Sequence, residues 1–104
     1  MSPVRFELDK RAFGVVTFPR PKGQTRTPLA PLHKALETSL GVRVQTKRKG
    51  WFGPKILSFT YMGETVAMRI LGNGDASFDL GAIDDEVRET ILEHMRQSHD
   101  FEGR

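Results

Sequence analysis

Three features of the sequence predict an α+β protein. Apolar residues alternate with polar ones in six short stretches, two longer stretches carry them at helical spacing, and Pro and Gly clusters punctuate the gaps between. The order reads ββαββββα. Alternating strands have one apolar face, and two helices with apolar stripes are the available cover, so the expectation is a two-layer sandwich of a mainly antiparallel sheet under two helices. At 104 residues the chain fits a single compact domain spanning residues 1–104.

Val4, Phe6 and Leu8 alternate with Arg5, Glu7 and Asp9, which sets a first strand over 3–9. Residues 13–18 (FGVVTF) are rich in β-branched and aromatic types and form a second strand, paired with the first. The following Pro19 to Pro28 segment holds three prolines, a glycine and the cations Arg20, Lys22 and Arg26, so neither periodicity survives and a basic loop is expected.

A helix is placed at 28–40. Leu29, Leu32, Leu36 and Leu40 recur at helical spacing, and Gly41 supplies the left-handed residue that commonly ends such a helix. Thr27 before Pro28 resembles an N-cap followed by proline at the first helical position, although Pro31 leaves the regular start ambiguous between Pro28 and itself. Val42 and Val44 alternate with Arg43 and Gln45 in a third strand ending near Thr46.

Leu57, Phe59 and Tyr61 then pair across Met62-Gly63 with Val66, Met68 and Ile70. Asn73-Gly74 leads into a last strand carrying Phe78 and Leu80, and the dipeptide predicts a type I′ turn with positive φ at both positions. Asp84, Asp85 and Glu86 open the second helix, where carboxylates satisfy free amides and oppose the dipole; Val87, Ile91, Leu92 and Met95 form its apolar stripe. Residues 99–104 are expected to fray.

The charge is divided along the chain. Residues 1–60 hold 12 Lys or Arg against 3 Asp or Glu, and residues 61–104 hold 4 against 10, within a formal net charge of +3. Such a division either offers a basic surface to an anionic partner or lets the two halves neutralise each other on packing.

The stretch Lys47-Arg48-Lys49-Gly50-Trp51-Phe52-Gly53-Pro54-Lys55 concentrates four cations with the only Trp and a Phe between two strands. Cations neutralise phosphates, aromatic faces stack on unpaired bases, and glycines admit close backbone approach. The site expected is therefore Lys47, Arg48, Lys49, Trp51, Phe52 and Lys55, joined by Arg20, Lys22 and Arg26 if the two loops share one end of the sheet. The alternative for this segment is a solvated hairpin whose Trp51 or Phe52 folds back onto the core. An outward Trp51 separates the two.

The function expected is a small non-enzymatic binding protein for single-stranded DNA or for single-stranded or structured RNA. Duplex readout normally presents a basic helix, and here the second helix is acidic. The alternative is a protein-interaction or regulatory module, acting on a protein partner or as a homodimer through a sheet edge or the acidic helix. Peripheral binding to anionic lipid ranks third, since Trp and Phe beside cations also suit a membrane interface.

Catalytic signals are weak. The chain has no cysteine, which removes disulfides, thiolate nucleophiles and Cys-based metal sites. His94 and His99 are five apart, off the spacing of a shared metal, and the contiguous carboxylates at 84–86 diverge on a helix. No nucleotide-loop or nucleophile-elbow pattern surrounds Gly72-Asn73-Gly74 or any serine, so neither a metal nor a cofactor is expected. No export signal opens the chain and no run is long enough to span a membrane, giving a cytoplasmic expectation.

Overall fold

A computed structural model describes residues 3–48 and 50–103. Its elements are β1 (Val4–Leu8), β2 (Val15–Phe18), α1 (Leu29–Leu40), β3 (Gln45–Arg48), β4 (Lys55–Tyr61), β5 (Glu64–Ile70), β6 (Ala76–Asp79), α2 (Asp85–Gln97) and β7 (Phe101–Gly103). The seven strands form one sheet in the order β3-β4-β5-β6-β2-β1-β7, antiparallel throughout except for the parallel pair β1 and β7. The α+β sandwich expected from the sequence is the fold observed.

The period-2 alternation decides which face is covered. Register places Phe59 opposite Val66, Met68 opposite Phe78, Phe78 opposite Val16 and Val16 opposite Leu8, so these side chains share one face. Leu36 of α1 and Ile91 and Met95 of α2 close over that face, against Val16, Phe18, Phe59 and Phe78. The rings of Phe18 and Phe59 each meet Phe78 edge-on, at centroid distances of 5.6 and 5.5 Å. The other face, uncovered among the described residues, carries small and polar residues such as Thr60, Thr65, Ala67 and Thr17.

Four local expectations are corrected. The type I′ turn lies at Met62-Gly63, where φ is +50° and +85° and Tyr61 pairs directly with Glu64. At 71–75, Leu71 N–H donates to Asp75 C=O, Gly74 N–H donates to Leu71 C=O, and only Gly74 has positive φ (+94°). That makes a three-residue loop, for which a single left-handed glycine suffices.

The third strand begins at Gln45 rather than Val42. Val44 is instead claimed by α1: its N–H donates to Glu37 Oε2 (3.0 Å), its carbonyl lies 2.8 Å from His33 Nε2, and its side chain is buried. The second strand starts at Val15, leaving Phe13 in the preceding turn, where its ring lies 4.4 Å from the guanidinium carbon of the buried Arg88.

The segment after α2 does not fray over its described length. Phe101 is buried, meets Phe6 edge-on at 5.8 Å, and opens β7 beside β1.

The helices begin differently. Asp84 caps α2 by accepting from the amides of Glu86 and Val87, as the acidic opening predicts. α1 starts at Leu29 with Pro28 as N-cap and no side-chain cap. Pro31 is therefore the third helical residue, whose N–H would have no intrahelical acceptor, so the proline costs the helix nothing there.

Candidate nucleic-acid interface

Strand directions bring the two basic loops together. β2 ends at Phe18 beside Ala76, β6 begins there, and β4 begins at Lys55 beside Arg48, so the 19–28 loop, the β3–β4 loop and the β5–β6 turn share one end of the sheet. This end carries Arg20, Lys22, Arg26, Arg48 and Lys55 against Asp75 and Asp100. The opposite end carries Asp9, Glu64, Asp79 and the acidic opening of α2 against Lys10, Arg11 and Arg43. The division of charge along the chain thus becomes a polarity along the strands.

A cleft of about 430 Å³ lies between these loops. Arg26, Arg48 and Lys55 stand on its rim with Phe52, and Gly53, Pro54 and Gly74 supply backbone walls. Its floor is apolar, made by Leu29 of α1 with Met68, Ile70 and Ala76 of the sheet. Among the described residues no ion pair neutralises Arg26, Arg48 or Lys55.

Trp51 and Phe52 point outward, 89% and 98% exposed. A loop that folded back onto the core would bury at least one of these rings, and here both stay in water beside the cations. Gly50 serves the turn, adopting φ +74°.

The other expected residues are placed apart. Arg20 and Lys22 line a second groove, of about 390 Å³, walled largely by Pro3, Pro19, Pro21 and Pro28. One Arg20 guanidinium nitrogen is engaged by Gln24 C=O at 2.9 Å. Lys47 pairs with Ile56 on the uncovered face of the sheet, away from the cleft. Lys49 lies outside the described residues.

Sequence reading missed Arg69 and the cleft floor. Arg69 is exposed on the uncovered face, and continuing the β4–β5 register puts it opposite Ile56, in one row with Lys47. The available signal was its phase, opposite to the core-facing Met68 and Ile70. The floor residues carried no signal, since each reads as ordinary core.

Thr27 fixes the loop that carries Arg26. Its hydroxyl donates to Phe18 C=O (2.6 Å) and accepts from Ala76 N–H (3.2 Å), relaying between β2 and β6 where their pairing ends, and its own N–H donates to Gly74 C=O (3.1 Å). Asp75 adds a second tether, accepting from Arg20 N–H at 2.9 Å. Thr27→Val keeps the shape and removes the relay, leaving buried groups unpaired. A loss of about 1 to 3 kcal/mol is expected in denaturant titration, and an unchanged midpoint would mean the relay is replaced by water.

Among the described residues, no helix is long and apolar enough to cross a membrane, and no group of three or more His, Asp or Glu is arranged to hold a metal ion. The chain matches no protein-family model, no curated protein and no solved structure, so the geometry of this end of the sheet carries the functional reading by itself.

Proposed function

We propose that this protein binds single-stranded or structured nucleic acid in the cytoplasm through the basic end of its sheet. The observation that carries the reading is the convergence of Arg26 from one loop with Arg48, Phe52 and Lys55 from another around one cleft, beside an outward Trp51. Cations without local carboxylate partners attract phosphates by releasing condensed counterions, and exposed rings stack on unpaired bases. The acidic far end repels the same polyanion and orients its approach.

Oligonucleotides are expected to quench Trp51 fluorescence, with affinity falling as salt rises. Trp51→Ala should cost about 1 to 3 kcal/mol per stacked base. Lys55→Ala should lower the slope of log affinity against log salt by about 0.7 for each single-strand phosphate that the lysine neutralises. If neither mixed-sequence RNA nor single-stranded DNA binds at low salt, where attraction is least screened, the reading fails.

A protein partner is the second reading, favoured by β3. It lies at the sheet edge with all four residues exposed, so its outer backbone groups can accept another strand. A stable oligomer seen by light scattering without nucleic acid would support a second copy there.

A further inference from the structure

The cleft combines two chemistries that a backbone-tracking surface does not need together. Phosphate attraction requires only the rim, Arg26, Arg48 and Lys55. The floor adds apolar surface from Leu29 and Ile70, both only half-buried, over the buried Met68 and Ala76. A strand riding over the loops would leave this floor wet. At about 430 Å³ the space is toward the small end of the roughly 300–1,000 Å³ spanned by small-ligand pockets.

We propose that the cleft takes one unpaired nucleotide of a bound strand, with its base on the Leu29–Ile70 floor and its phosphate among the rim cations; this rests on the nucleic-acid function proposed above. A nucleobase presents a flat π-face that suits an apolar floor, and its phosphate lies one sugar away, which matches an apolar bottom beneath a cationic rim. Phe52, at the mouth, is placed to cover the inserted base or to stack on its neighbour. The rim cations would take the phosphodiester of a nucleotide strand or of a phospholipid alike, but the acyl chains of a diacyl lipid exceed the floor, which favours the nucleotide.

The test is methyl NMR of the intact protein with a short mixed-sequence RNA, uridine 5′-monophosphate, uridine, inorganic phosphate and phosphatidylglycerol vesicles. The RNA and the mononucleotide should shift the methyl resonances of Leu29, Met68 and Ile70, while uridine or phosphate at the same concentration should not. Ile70→Trp, which fills the floor and keeps every cation, should weaken RNA binding about ten-fold without changing the salt slope. Its own methyl spectrum reports whether it is folded, and the wild-type titrations stand without it.

If RNA binds while the floor methyls stay unmoved, the strand rides on the outer loop: the pocket proposal is overturned and the nucleic-acid reading survives. Equal shifts with inorganic phosphate would make the cleft a plain anion site and overturn the proposal, as would vesicles engaging the cleft in place of RNA. No RNA binding at low salt would overturn both readings.

Discussion

Replacing Gly74 by Ala is expected to destabilise the protein by about 2 to 5 kcal/mol, from roughly 1 to 2 for a side chain at positive φ and 1 to 3 for overpacking. Gly74 sits at φ +94°, and a Cβ there would lie 1.9 Å from the carbonyl oxygen of Thr25 and 3.0 Å from its carbonyl carbon. Both are backbone atoms, in a loop tied by Thr27 N–H to Gly74 itself, so relief requires the turn and the loop to separate. Gly23→Ala is the control: φ there is +87° with nothing within 4 Å of a Cβ, so it should lose only the conformational part. Thermal melting of the pair isolates the steric part. At about 4 °C per kcal/mol for a domain near this size, Gly74→Ala should melt roughly 8 to 20 °C lower. Equal losses in the two variants would show that the loop is not seated on the turn. Because that loop carries Arg26, weaker nucleic-acid binding should accompany the lower melting point.

Ile91→Ala should cost about 3 to 5 kcal/mol, the upper part of the range for large-to-small core changes. Ile91 is 1% exposed and sits among Phe18, Phe59 and Phe78, with Leu36 of α1 and Met95 on its own helix. The edge-on ring contacts leave these phenylalanines little freedom to swing into a new void, so the site collapses poorly. In denaturant titration the midpoint should fall with the slope unchanged. A loss below about 1 kcal/mol would mean that α2 shifts inward to refill the space.

The elements whose apolar residues repeat were legible, and those decided by partners far along the chain were not. Leu32, Leu36 and Leu40, and likewise Val87, Ile91 and Met95, are buried as their spacing requires. Asn73-Gly74 misled because turn type follows the number of residues left between paired strands. Leu71 and Asp75 bond across a three-residue loop, while the less obvious Met62-Gly63 spans a two-residue one. β7 has too few residues to show alternation and exists because β1 offers it an edge. For the site, Trp51, Phe52 and the basic loop were visible as composition. That Arg26 lines one cleft with Arg48 and Lys55 depends on β2, β4 and β6 placing their loops at one end, and the apolar floor on Leu29 lining it with Met68, which local sequence does not encode.

The neighbour relation of β1 and β7 also bears on when the molecule can form. Val4 pairs with Phe101 across nearly the whole chain, and Val4 N–H donates to Asp100 C=O at 2.9 Å. Contacts so distant close the largest loop in the sheet, and that entropy is lost before the contacts return anything. During synthesis, β3 to β6 can pair by local hairpins as they emerge, while β1 stays bare on its outer side until the residues beyond α2 have been made. Completion of the sheet, and the seating of Phe101 on Phe6, is therefore expected to follow the local pairing of β3 to β6.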